Sequence, residues 1–233
     1  MLSKRIVYMI FIIRGHIRGS FNDDNLYNLL VRLSKLFELQ IYIHTWSVQS
    51  SSLSWRWVEQ NNQLVTEDRV RGYFRELSPL IKHIMIDNEH DVELIGSLEG
   101  GVAGSIAPLK GWKYYWAGKY RIAKYLYENL PHDTSPVVSM RFDILNCGFH
   151  YDCAQITEFL THYQNEKFFK MNRFINNGLG LGCDNIYLGS VKTMYELTKQ
   201  FYLKMDQISD ANRHMRNQEL IVPIINQLLI LLD

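Results

Sequence analysis

The sequence predicts an α/β protein: a mostly parallel sheet flanked by helices, with a helical C-terminal part. Three observations carry this. Residues 5–13 form a β-branched apolar run, residues 25–37 repeat apolar side chains at helical spacing, and residues 40–46 form a second apolar run. A β-loop-α-β opening of this kind builds a parallel pair, because parallel strands need a crossover between them. The 233 residues are enough for one domain with a sizeable core. No repeat or low-complexity linker divides them, so 1–233 reads as one domain whose helical part occupies about 190–233.

Each element can be justified in turn. The first apolar run follows Lys4 and Arg5 and imitates a secretory leader, but it meets Arg14-Gly15-His16-Ile17-Arg18 instead of a small-residue cleavage site. It is also too short to cross a bilayer, so a buried first strand fits it better. Leu26, Leu29, Leu30, Leu33 and Phe37 form the stripe of the first helix, which Asp23 or Asp24 can cap. The second strand ends in His44-Thr45-Trp46. A polar loop over 47–62, a short helix over 68–77 and a strand over 83–87 follow. The glycine-rich stretch 93–111 reads as a mobile segment, and 112–130 as a helix ended by Pro131. A strand over 139–145 comes next, then a helix over 152–163, strand-like or irregular chain over 167–175 and a glycine loop over 176–183. Residues 184–190 read as a short strand and turn, from which Ser190 caps a helix to about Met205. A last helix spans about 218–232 with Pro223 in its first turn.

Composition narrows the function. Lys and Arg number 25 against 24 Asp and Glu, which argues against a nucleic-acid binder with its usual basic excess. Three cysteines, Cys147, Cys153 and Cys183, show no metal spacing and point to a reducing compartment, the cytoplasm. The histidines lack zinc spacing, and no Gly-x-Ser-x-Gly motif appears. The apolar stretch 220–232, interrupted by Asn226 and Gln227, leaves three placements open: on the domain, on a membrane surface such as the inner face of the membrane, or on a partner.

Candidate chemistry gathers at predicted strand ends, where open α/β sheets bind ligands. Gly15 lets backbone approach a ligand, and Arg18 can pair with phosphate. Thr45 can hydrogen-bond a base, and Trp46 can stack on it or close the core. Lys119 and Arg121, on the helix before the fourth strand, can reach a diphosphate or form a solvated face. Arg141 and Asp143 lie two apart in that strand and so share a face. Asp143 can hold a divalent metal, or the two can form an internal salt bridge. Asp184 can act as general base on a sugar hydroxyl or serve a turn. The loop Gly178-Leu179-Gly180-Leu181-Gly182 lacks the Gly-Lys-Ser/Thr ending of a P-loop.

In this order the motifs resemble bacterial surface-polysaccharide glycosyltransferases, of the type that includes the WavE lipopolysaccharide-synthesis proteins. The resemblance runs from about residue 6 to 222 and rests on Gly15-His16-Ile17-Arg18, His44-Thr45-Trp46, Arg141-Phe142-Asp143, the stretch from Asp184 to Ser190, and Glu219. It implies a GT-A-like (Rossmann-like) fold, a nucleotide-diphosphate sugar donor, a glycan or lipid-linked acceptor in capsule or lipopolysaccharide synthesis, and a divalent manganese or magnesium ion. Asp143 takes the place of the last carboxylate of the Asp-x-Asp metal motif, and Arg141 stands where the first Asp would be, where its cation can stabilise the leaving diphosphate. The missing carboxylate also suits a non-catalytic, glycan-binding or scaffolding member of the fold. A sugar nucleotidyltransferase is a third reading.

Overall fold

A computed structural model describes residues 7–51, 60–146, 151–166, 168–175 and 184–229. The glycine loop 176–183, Cys147, Cys183 and the last residues of the apolar C-terminal stretch lie outside these. The elements are β1 (Val7–Arg14), α1 (Asn25–Ser34), β2 (Phe37–Trp46), β3 (Val48–Ser50), β4 (Asn61–Leu64), α2 (Glu67–Phe74) and β5 (Ile81–Asp87). They continue with α3 (Leu109–Asn129), β6 (Val137–Arg141), α4 (Cys153–Tyr163), β7 (Arg173–Phe174), β8 (Ile186–Gly189), α5 (Val191–Ala211) and α6 (Ile221–Leu228).

Six strands form the main sheet in the order β5-β2-β1-β6-β8-β7. The first four are parallel; β8 runs antiparallel to β6, and β7 antiparallel to β8. The expected mostly parallel sheet between helices is therefore present, compatible with a Rossmann-like fold. From β1 the chain moves outward to β2 and β5, then returns through α3 to place β6 on the other side of β1. This reversal is a topological switch point, and it opens a crevice at the carboxyl ends of β1 and β6.

β1 is central and buried on both faces. Met9, Phe11 and Ile13 join the core under α1, α2 and α4, whereas Ile10 and Ile12 join the core under α3, α5 and α6. Each such buried aliphatic side chain contributes about 2 kcal/mol of transfer free energy. In α1, Leu26, Leu29, Leu30 and Leu33 are buried as the spacing predicts. Phe37 is not the end of that stripe. It opens β2 opposite Val7, because it also alternates with Leu39 and Ile41, and pairing with β1 wins. Ser190 caps α5 as expected, its Oγ accepting from the Thr193 amide at 3.1 Å. The described part of the C-terminal stretch docks on the protein, with Ile221, Val222 and Ile225 buried. Asn226 is the polar latch of that docking: its Nδ2 donates to the Asn172 carbonyl at 2.9 Å, and its Oδ1 accepts from the Asn172 amide at 3.0 Å. Among the described residues no helix is long and apolar enough to cross a membrane.

Two expectations need correction. The strand predicted over 139–145 ends at Arg141, and Asp143 lies in the turn beyond it. At Gly15 (φ 92°) β1 turns away, so the pairing ends with Phe142 N–H donating to Arg14 O at 3.2 Å. The chain beyond coils instead, with Ile144 N–H donating to Arg141 O and Asn146 N–H to Asp143 O. The segment 93–111, read as mobile, is tied here to α5 and to the turn that follows it. Ser97 N–H donates to Asp206, Ala103 N–H to Ser209 Oγ and Gly104 N–H to Met215 O.

Candidate functional site

The switch-point crevice widens into a cleft of about 970 Å³, its open mouth included. Its floor is the ends of β1, β2 and β6. One wall is α3, where Gly111, Tyr115, Gly118 and Lys119 face the cleft, and Asp184 and Glu219 also line it.

The floor is cationic. Arg14 and Arg141 are register partners at the ends of β1 and β6. Arg14 is buried and makes only neutral contacts: Nε donates to Ser139 Oγ and Nη1 to Tyr115 Oη, both at 2.9 Å, and Nη2 to the Asp184 carbonyl. That carbonyl also accepts from Tyr115 Oη at 2.7 Å and Lys119 Nζ at 3.1 Å. Three donors thus converge on one oxygen. Lys119 Nζ lies 4.0 Å from the Tyr115 ring centre and 3.8 Å from that of Trp116, both cation–π distances. Burial pushes the Tyr115 hydroxyl well above its ordinary pKa, against the pull of Arg14.

Arg141 grips Asp143 as a fork. Its Nε lies 2.6 Å from Oδ1 and its Nη2 2.6 Å from Oδ2, while Nη1 donates to Asn185 Oδ1 at 2.9 Å. Arg18 reaches the same carboxylate, Nη1 to Oδ2 at 2.8 Å. Arg18 itself sits at φ 52°, a left-handed conformation that costs an ordinary side chain free energy. The turn is clamped by Gln49, whose carbonyl accepts from Arg18 N–H at 2.8 Å and whose Nε2 donates to Arg18 O at 2.6 Å. Burial raises the affinity of Asp143 for a proton, but Arg141 and then Arg18 more than reverse this and bring its pKa down to about 2. It is a permanent anion holding two cations.

The β2 side of the cleft is aromatic. Trp46 packs edge-on against His44 and Tyr114, with ring centres 5.0 and 5.8 Å away. His44 is fully buried; its Nε2 donates to Asp87 at 2.9 Å, and Arg121 clasps the same carboxylate. Burial lowers the His44 pKa, with Asp87 opposing, and His16 beside Glu89 (3.2 Å) behaves in the same way. Gly118 is what lets α3 approach so closely: a Cβ there would lie 2.5 Å from His44 Cε1.

The sequence matches no known protein-family model and no curated protein.

Of the residues singled out from sequence, Gly15, Arg18, Trp46, Lys119, Arg141, Asp143 and Asp184 line this one cleft. Thr45 and Arg121 do not. Thr45 points from β2 to the opposite face of the sheet, because alternation puts His44 and Trp46 on the cleft side. Arg121 acts at one remove, through Asp87. Sequence reasoning passed over Glu89, Tyr114 and Tyr115 as site residues, and took Arg14 only as the start of the strand-end loop 14–20. Arg14 had a signal, as the charged end of an apolar strand.

The donor set at Asp143 does not fit a divalent metal. Both carboxylate oxygens already face guanidinium groups, and such an ion prefers several oxygen ligands free of competing cations. Among the described residues no group of three His, Cys, Asp or Glu side chains is placed to hold one. Asp184, by contrast, has a buried Oδ1 without a hydrogen-bond partner among the described residues.

Proposed function

We propose that this protein is a GT-A-type glycosyltransferase that moves a sugar from a nucleotide-diphosphate donor to a growing surface glycan. The observation that carries this reading is the cleft at the switch point. There, Arg14, Arg18, Arg141 and Lys119 face a shared space also lined by Trp46, Tyr114, Asp184 and Glu219. Guanidinium groups match phosphate oxygens in geometry and charge, and aromatic rings offer a face to a base or sugar. In this reading Arg18 and Arg141 receive the diphosphate and stabilise the charge that grows on it as the glycosidic bond breaks. Asp184 takes the acceptor hydroxyl proton. No metal enters these steps.

Calorimetry with uridine, guanosine, cytidine and adenosine diphosphates tests the reading. One of them should bind, and Arg141→Gln should weaken it about tenfold or more. A folded protein that binds none of the four rejects the proposal. Hydrolysis of the matching nucleotide sugar, lost in Asp184→Asn, separates an enzyme from a glycan-binding member of the same fold.

A further inference from the structure

We infer that Asp143 is a positioning residue, and that this cleft takes its nucleotide diphosphate with paired guanidinium groups in place of a divalent metal. The inference rests on the glycosyltransferase reading for the nature of the ligand, and on the geometry of three residues for the means of holding it.

The first ground is occupancy. Asp143 Oδ1 faces Arg141 Nε, and Oδ2 faces both Arg141 Nη2 and Arg18 Nη1, all at 2.6–2.8 Å. A magnesium or manganese ion would sit about 2 Å from one of these oxygens. It would then lie against two guanidinium cations, and it could bind only by displacing at least one of them.

The second ground is construction. Arg141 and Arg18 lie far apart in the sequence and meet on one carboxylate. Arg141 is fixed on both edges, by Asp143 and by Asn185. Arg18 is held in a left-handed backbone conformation by the two hydrogen bonds to Gln49. A strained turn that is clamped on both sides aims its side chain, and what Arg18 is aimed at is Asp143 and the cleft. Two planar guanidinium groups locked in this way form a preorganised receptor for a dianion, with their ordering completed at folding.

The third ground is charge. With Arg18 and Arg141 on one carboxylate, the trio carries a net positive charge. Arg14 adds another, since all its contacts are to neutral groups. Lys119 adds a fourth cation among aromatic rings. Glu89, Asp184 and Glu219 line the same cleft, so these cations are concentrated around Asp143 and the strand ends and are not an excess over the whole lining.

The test is calorimetric titration of the full chain with the four nucleoside diphosphates, first in excess EDTA and then in excess MnCl₂. The expected result is a nucleotide that binds in EDTA with an affinity within about twofold of that in manganese. Asp143→Asn should weaken it by about tenfold or more in both buffers, since loosening two guanidinium groups removes their preorganisation. Arg18→Gln, at a more accessible position, should do the same and serves if the Asp143 variant does not fold. The inference is overturned if manganese raises the affinity tenfold or more and Asp143→Asn abolishes that gain. Such a result leaves the glycosyltransferase reading standing. Absence of binding in both buffers removes the reading and the inference together.

Discussion

Arg14 and Arg141 stand side by side on adjacent parallel strands, and their guanidinium groups take opposite kinds of partner. Arg14 is held by a serine, a tyrosine and peptide carbonyls. Arg141 is held by a carboxylate and an amide. The neutral set keeps the charge of Arg14 undiminished in the floor of the cleft, whereas the charge of Arg141 is shared with Asp143.

This makes Arg14 a structural keystone as well as a charge. Lysine could keep the charge but could not span Ser139, Tyr115 and the Asp184 carbonyl at once. Arg14→Lys should cost about 2–4 kcal/mol in urea denaturation, because buried acceptors lose their donors. A loss below about 0.5 kcal/mol would show that the network contributes little to stability.

Asp143 should leave a signature in acid. Its folded pKa, about 2, lies below the unfolded value of about 3.9. Its contribution is therefore complete above that unfolded value and is lost as pH falls towards 2. The amount is roughly 2 kcal/mol. Urea midpoints of the wild type and Asp143→Asn should converge over this range. Parallel curves would contradict the assignment.

His16 and His44 act in a higher window. Burial lowers both, with Glu89 and Asp87 opposing. The unfolded chain takes up these protons first as pH drops below about 6.5. Stability present above that pH should fall as the medium is acidified towards the folded values. His44→Gln should reduce the slope between pH 7.5 and 5.5, as read by thermal unfolding. An unchanged slope in that variant counts against His44.

Gly118 reverses a familiar expectation. Within a helix, glycine to alanine usually stabilises by about 1 kcal/mol. Here the new methyl carbon would stand 2.5 Å from His44 Cε1 and 2.8 Å from Nδ1. Gly118→Ala should destabilise by about 1–3 kcal/mol. In a His44→Ala background the same change should become neutral or favourable, which a double-mutant cycle measures.

Thr45 offers a control. Its Oγ1 is buried without a partner among the described residues, and it lies on the face of β2 away from the cleft. Thr45→Val should hold or raise stability by up to about 1 kcal/mol and leave nucleotide affinity unaltered. Weakened binding would mean that Thr45 touches the ligand after all.

Much of the architecture was legible because it is local. The stripe of α1, the Ser190 cap and the apolar runs of β1 and β2 each need only a few neighbouring residues to be read. The crossover that makes the sheet parallel follows from their order. The site was legible in part, since strand ends collect ligands and Gly15, Arg18, Trp46 and Arg141 lie at or just past them. What escaped is long-range pairing. Nothing near Asp143 in sequence announces Arg18, and nothing near His16 announces Glu89. The alternation that separates Thr45 from Trp46 was readable in principle, but a strand buried on both faces gives no polar contrast to mark which face is which. The end of β6 depended on where its neighbours stop, which only the assembled sheet determines.

The reversed direction of β8 has a consequence for how the cleft is assembled along the chain. Three parallel strands arrive at it with their last residues, Arg14, Trp46 and Arg141, whereas β8 sets out from it just after Asp184 and Asn185. Every cation of the cleft precedes residue 142, whereas the groups after it, Asp143, the Asp184 carbonyl and Asn185, hold those cations in place. The charge comes from one part of the polypeptide and its aim from the other. Substitutions in the later part can thus loosen the grip without removing any of its cations.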